Sequence, residues 1–228
     1  EWYFAPEQRL SVSGFYKKID KPIEAFITGG DLVTSFANAP TATLYGAEVE
    51  FQKNFNLDGL FKAGGLSERR IVLTANYTYT KSKIKVATGD TTSVFGAFSS
   101  RASDYFRDGG PLTGQSDHIA NLQIGLEHPD RLSQQTILLG YSSNRVISRG
   151  LNGSVPQPDV IERPGFRLDF VAREGIEVLG KEIELKFEAR NITGQRHEEF
   201  QRSGTNRIDI NSYAVGTTLA LSATVKFQ

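Results

Sequence analysis

The stretch Tyr213 to Phe227, YAVGTTLALSATVKF, most constrains what this chain can fold into. From Val215 to Phe227 every odd position is apolar or Thr, and the positions between are Gly, Thr, Ala, Ser, Thr and Lys. A period of two is the mark of a strand with one apolar face and one small, polar face. The run is longer than the roughly five or six residues usual in a soluble sheet. Aromatic residues stand near both ends, Tyr213 and Phe227, where a tilted strand of about ten residues would cross the two bilayer interfaces. The expectation is one membrane-spanning β-strand that closes a barrel.

The same alternation recurs upstream seven times. In RLSVSGFY, Leu10, Val12, Gly14 and Tyr16 share a face, preceded by an aromatic cluster at Trp2, Tyr3 and Phe4 that suits an interface girdle. In LYGAEVEFQKNF, Tyr45, Ala47, Val49, Phe51 and Phe55 oppose Gly46, Glu48, Glu50 and Gln52. Ile71, Leu73, Ala75, Tyr77 and Tyr79 then oppose Arg70, Thr74, Asn76, Thr78 and Thr80, and Ala120, Leu122, Ile124 and Leu126 oppose Asn121, Gln123, Gly125 and Glu127. The segment LSQQTILLGYSSNRVIS is assigned Ile137, Leu139 and Tyr141 outward, against the parity of Leu138. Phe166, Leu168, Phe170 and Ala172 oppose Arg167, Asp169 and Arg173. Finally Ile183, Leu185, Phe187 and Ala189 oppose a ladder of Glu184, Lys186, Glu188 and Arg190. Such a ladder must be wet or fully paired, because isolated charges in an apolar core cost many kcal/mol.

Eight strands result, joined by connections that alternate in length. Residues 21–43, 86–114, 149–164 and 195–212 are expected as long loops on Gly, Pro and Asn punctuation, and about 56–68, 128–131 and 174–181 as shorter ones. This asymmetry suits an outer-membrane barrel with long extracellular loops and short periplasmic turns, the last strand running inward. A soluble antiparallel sandwich also alternates one buried and one wet face, but its strands would be shorter and its connections need not alternate.

Composition narrows the function classes. The 228 residues hold 26 Lys+Arg against 26 Asp+Glu, a net charge of zero, so nothing electrostatic points to nucleic acid. There is no cysteine for a disulfide or thiolate metal site. Mean hydropathy is −0.32 and no run of about eighteen apolar residues occurs. That excludes a transmembrane helix and leaves a barrel open, since only alternate residues of a barrel strand face lipid. A chain opening Glu1-Trp2-Tyr3, with no initiator Met or charged-then-apolar leader, is expected to be processed or a piece of a longer protein.

No catalytic set emerges. Ser116, Asp117 and His118 are adjacent, but neighbours in a strand point to opposite faces and cannot act as a triad by adjacency. His118 has lipid-side parity near a strand start, as an interfacial histidine would. His128 and His197 lack any two-His-plus-carboxylate spacing for a metal. No metal and no cofactor are expected, and Glu48 with Glu50 is assigned to pore lining.

Five segments in order, RLSVSGFYKKIDKPIEAF, NAPTATLYGAEVEFQKNF, PLTGQSDHIANLQIGLEHPD, FEARNITGQ and YAVGTTLALSATVKF, together resemble the C-terminal part of TonB-dependent outer-membrane receptors and span nearly the whole chain. The resemblance implies an all-β, antiparallel transmembrane barrel of about 22 strands around an N-terminal plug. Residues 1–228 would be about eight consecutive strands of it, and the plug and TonB-contacting segment have no counterpart here. The whole receptor would sit in the bacterial outer membrane and bind a scarce nutrient, such as a ferric siderophore, corrinoid or oligosaccharide. It would import that ligand with energy delivered through TonB. Its partners would be outer-membrane lipid, the remaining strands and plug, the TonB complex and the ligand.

Within that frame the 86–114 loop is the candidate ligand contact. Phe95, Phe98, Tyr105 and Phe106, with Arg101 and Arg107, could grip an apolar or anionic ligand, or the aromatics could pack the loop against its neighbours. Glu48, Glu50, Arg167, Asp169, Glu184, Lys186, Glu188 and Arg190 are expected to face the lumen, the ladder meeting partners from neighbouring strands. The rival is a complete eight-stranded barrel with a passive or structural role. Its interior is just filled by side chains, so it would be crowded by these long polar groups. A barrel-rim hydrolase finds no set of strands to supply its residues.

Overall fold

The computed structural model describes all residues except 29–32, 59–64, 95–98, 153–154 and 226–228. The described strands are β1 (Trp2–Ala5), β2 (Gln8–Asp20), β3 (Ile23–Thr28), β4 (Val33–Asn38), β5 (Thr41–Asn56), β6 (Arg70–Lys85), β7 (His118–Glu127) and β8 (Ser133–Ser142). They continue as β9 (Arg145–Ser148), β10 (Val160–Glu162), β11 (Gly165–Val178), β12 (Lys181–Arg190), β13 (Arg196–Ser203), β14 (Asn206–Ala214) and β15 (Thr218–Val225), and a 3-10 turn spans Ala102–Asp104. No described helix is long and apolar enough to cross a membrane.

The eight alternating segments become β2, β5, β6, β7, β8, β11, β12 and β15. They lie side by side in chain order within one nine-stranded antiparallel sheet, with β1 added beyond β2. The Trp2–Phe4 cluster is thus part of a short strand paired Trp2 to Leu10 and Tyr3 to Arg9. Register carries the apolar parity unbroken from strand to strand. One row runs Leu10, Phe51, Ala75, Leu122, Leu139, Leu168, and another Leu73, Ile124, Ile137, Phe170, Ala189, Leu219. A one-residue slip at any strand would move its whole apolar set to the other face, so this agreement fixes the pairing. It also settles β8: Ile137, Leu139 and Tyr141 join the apolar rows, and Leu138 stands between Gln123 and Asp169 on the polar face.

Among the described residues nothing covers the apolar face. Leu219 is 67% and Leu221 78% exposed, and Val12, Tyr77, Ile124, Ile137, Phe166 and Phe187 are exposed too. In water a patch spread over eight strands would be untenable; a lipid-facing wall requires it. β1 and β15 occupy the two edges and do not pair with each other among the described residues, so the sheet is open.

Three of the expected long loops hold strands. Residues 21–43 contain the β3–β4 hairpin, 149–164 contain β10, and 195–212 contain most of β13 and β14. A four-stranded sheet ordered β14-β13-β10-β9 results. Its strands precede or follow β15, β12, β11 and β8 in the same lateral order, so the wall continues beyond a line of breaks. The run Tyr213 to Phe227 is consequently not one strand. It breaks at Val215–Thr217, where Gly216 takes φ +77°, and Tyr213 belongs to β14, stacked on His197. Phe227 lies outside the described residues. At the opposite end β11 runs on to Val178, and the turn expected at 174–181 shrinks to Leu179–Gly180. Both have positive φ, +52° and +73°, as primed hairpin turns require.

Candidate functional site

All four long connections leave one end of the sheet: β2 to β5, β6 to β7, β8 to β11 and β12 to β15. There they build a buried apolar cluster, joining Phe26, Ala37 and Ala39 of the β3–β4 region to Val94, Ala102, Tyr105, Phe106 and Leu112 of the β6–β7 connection. The sheet contributes Ala42 and Ile84, with Ile19 and Leu44 packed alongside. Ala42 and Leu44 share the parity of Glu48 and Glu50, and Ile84 that of Thr78 and Thr80. The connections therefore fold onto the polar face of β2, β5 and β6.

One ion pair ties this cap together. Glu24 of β3 is 1% and Arg149, just after β9, 3% exposed, and Arg149 Nη2 and Nε donate to Glu24 Oε2 at 2.6 and 2.8 Å. The Thr113 amide donates to the same carboxylate at 3.1 Å, and Arg149 Nη2 also donates to the Pro111 carbonyl. Backbone bonds from the Arg149 amide to the Ala25 carbonyl, and from the Ile27 amide to the Arg149 carbonyl, align the two segments. Three connections thus meet at one buried charge pair. Removing one partner would leave an uncompensated buried charge. Sequence reading missed both residues, because their partners are 125 positions apart and lie in segments without periodicity.

A second organiser, Asn191, lies at the line of breaks and is 6% exposed. Its Nδ2 donates to the carbonyls of Gln195 and Gly216 at 3.0 and 2.9 Å, and its Oδ1 accepts from the Gln195 amide at 2.9 Å. It holds the β12–β13 break against the β14–β15 break. Above it, Arg207 lies 4.2 Å from the Phe200 ring. Hydrogen bonds to Asp209, the stronger influence, and to Glu198 raise its guanidinium pKa above the ordinary arginine value.

The sequence-nominated contacts separate. Tyr105 is 6% and Phe106 1% exposed, both inside the buried cluster, with the Tyr105 ring 5.5 Å from Phe26. As they stand they brace the connection and offer a ligand little surface. Arg101 and Arg107 are exposed, Arg101 in a loose pair with Asp104 at 3.4 Å. Phe95 and Phe98 lie outside the described residues. Glu48, Glu50, Arg167, Asp169, Glu184, Lys186, Glu188 and Arg190 all occupy the polar face, as their register shows.

Their pairing is more local than expected. Glu188 takes Lys186 at 3.1 Å and Arg190 at 3.0 Å within β12, and Arg167 takes Asp169 at 3.0 Å within β11. Cross-strand ties include Arg173 to Glu184 at 2.7 Å, Arg9 to Glu50 at 3.0 Å and the Thr78 hydroxyl donating to Glu48 at 3.5 Å. Residues two apart on a strand share a face, so a long cation reaches its own strand's acid as easily as a neighbour's. A groove of about 380 Å³ opens on this face among Thr74, Asn76, Asn121, Gln123, Arg167 and Asp169. No group of three or more possible metal-ligating side chains occurs among the described residues.

Ser116, Asp117 and His118 go separate ways. Ser116 donates to the Ser143 carbonyl at 2.8 Å, Asp117 takes Lys81 at 2.6 Å, and His118 Nδ1 lies 2.7 Å from the Tyr77 hydroxyl. His118 stacks beside Tyr77 and Tyr79 on the apolar face, in an aromatic row near the end that carries the long connections.

The family described as TonB dependent receptor-like, beta-barrel matches residues 1–192. No curated protein and no solved structure matches the chain.

Proposed function

This chain belongs to the TonB-dependent receptor-like β-barrel family, a family of outer-membrane transport receptors, and from that membership we infer that it forms barrel wall and rim in an active importer. The wall is completed by strands beyond these residues, and a plug fills the lumen. Energy delivered through TonB moves the plug and lets a scarce nutrient pass along the polar face. The cargo is a ferric siderophore, a corrinoid or an oligosaccharide.

The observation that carries this reading is the register-aligned apolar face, exposed across eight strands and backed by a charged face, in a sheet whose edges stay open. Unpaired edges are not tolerated in hydrocarbon, where no water satisfies their amides. That argues for further strands and against a sealed eight-stranded barrel. In the lumen, Glu48, Glu50, Arg167, Asp169, Glu184, Lys186, Glu188 and Arg190 form a wet, self-neutralised lining. Exposed Arg101 and Arg107 meet the ligand on the rim, and Tyr105 and Phe106 hold the connection in shape. The chemistry is binding and passage rather than bond-making.

The test is uptake by cells whose sole receptor for the supplied nutrient is the natural full-length protein, assayed with each of the three cargo classes. Uptake of one class that disappears when TonB is deleted is expected. Uptake that persists without TonB, or none with any class, overturns the reading.

A further inference from the structure

At the line of breaks the polar face concentrates arginine. Arg190 closes β12, Arg196 opens β13, Arg163 stands between β10 and β11, and Arg167 lies near the start of β11. With Asn191, Gln195 and Thr218 they line a pocket of about 260 Å³. All four are exposed. Arg190 pairs with Thr218 across the sheet, and register puts both, with Arg167, on the polar face.

The backbone beneath them is held by side-chain amides. Gln195 Nε2 donates to the Arg196 carbonyl at 3.0 Å and to the Arg163 carbonyl at 3.4 Å, so one group fixes the chain at two of the four arginines. The Gln195 carbonyl accepts from buried Asn191, whose own backbone amide donates to Asp169 at 2.7 Å. Gly165 leaves space for this arrangement, since a Cβ there would sit 2.8 Å from Gln195 Oε1. Negative charge is short in comparison. Glu188 is divided between Lys186 and Arg190, and Glu198 between Arg163 at 3.7 Å and Arg207 at 3.2 Å. Asp169 meets Arg167 through Nε, and Glu162, the acid in the pocket lining, is held by Arg145 at 2.7 Å. Arg196 makes no ion pair among the described residues.

We propose that Arg163, Arg167, Arg190 and Arg196 bind an oxyanion group of the cargo, carboxylate or phosphate, on the polar face at the line of breaks. The proposal rests on the importer reading and deepens it: the cargo is anionic, and a neutral oligosaccharide is excluded. A guanidinium presents parallel N–H donors that match two oxygens of either group. Backbone fixed in advance spares part of the ordering cost of binding. The pocket is smaller than the roughly 300–1,000 Å³ of sites that enclose a whole ligand, so it takes a charged group of the cargo and not all of it. Arg167 also lines the 380 Å³ groove with Asn76, Asn121 and Gln123, which offers the remainder of the ligand an amide-rich surface beside the arginines.

The experiment measures equilibrium binding of three probes to the natural full-length protein in detergent at constant ionic strength: tricarballylate, a plain tricarboxylate; pyrophosphate; and neutral maltohexaose. One of the two anions is expected to bind, and which of them does assigns the group as carboxylate or phosphate. Arg190→Gln with Arg196→Gln should weaken that binding at least about tenfold. Arg202→Gln, an exposed cation of β13 outside the pocket, should match wild type. Equal binding by the double variant overturns the site and leaves the importer reading standing. So does the absence of binding by either anion up to about 10 mM, the result if an acid of the plug already fills the pocket. Binding of maltohexaose alone overturns the anionic cargo in the same way. Uptake in cells, run in parallel, tests the other reading: transport indifferent to TonB would remove the importer and the cargo assignment with it.

Discussion

Two side chains set opposite tests of how this protein treats charge. Leu219 belongs to an apolar row six strands wide and is two-thirds exposed, with nothing above it among the described residues. Leu219→Arg places a cation where the wall meets hydrocarbon and should destabilise the full-length protein by about 2–4 kcal/mol in lipid if the row lies near the midplane. A urea titration in vesicles reads the change, and a loss near zero would place this row outside the membrane. Glu24 is the reverse case, a charge already buried and matched by Arg149. Glu24→Leu alone should loosen the cap by about 3–5 kcal/mol, whereas Glu24→Leu with Arg149→Leu should return most of it. Protease cleavage within residues 99–117, against an intact sheet, measures the difference. Cleavage of the double variant as fast as the single would show that the pair is needed as a pair.

At the scale of elements, β12 shows how one strand serves two solvents. Glu184, Lys186, Glu188 and Arg190 lie on one side, and Ile183, Leu185, Phe187 and Ala189 on the other; their neighbours on β11 and β15 mostly match in character, the exceptions being Val171 and Ala220 beside Glu188 and Glu174 beside Leu185. Spin labels at Glu188 and Phe187 in the full-length protein should report water and lipid respectively. Similar accessibility of both to a lipid-soluble oxygen probe would defeat the two-solvent account. The cap elements behave differently. The β3–β4 hairpin and the β6–β7 connection bury Phe26, Tyr105 and Phe106 in a small core of their own, so that end of the sheet is held by ordinary packing.

For the whole molecule the open sheet makes the sharpest claim. β15 and the upper part of β2 present backbone groups with no partner strand on their outer sides among the described residues. In the full-length protein, strands from elsewhere should intervene between these edges. Cysteines introduced at Ser13 and Ser222 should therefore not form a disulfide under mild oxidation. Efficient cross-linking would mean that the two edges meet, and would replace the wide barrel by a narrow one.

Alternation by itself determined the class of fold, the eight principal strands, their apolar parity and the division into long and short connections. Those properties follow from a backbone that points successive side chains to opposite faces, which any window of ten residues records. Tertiary structure alone decided the rest. The break at Gly216 was hidden because the alternation runs straight through it, while Asn191, a partner distant in sequence, organises the bend. Strands β3, β4, β10, β13 and β14 lie in segments without a sustained period of two, and β9 was hidden inside a segment that reads as one strand with β8. Tyr105 and Phe106 read equally well as ligand contacts or as packing until their neighbours were placed, and the neighbours put them inside. The Glu24–Arg149 pair exists only after folding, since it joins residues from connections far apart in the chain. Local geometry is written in short windows; which side chains meet depends on long-range pairing that no short window contains.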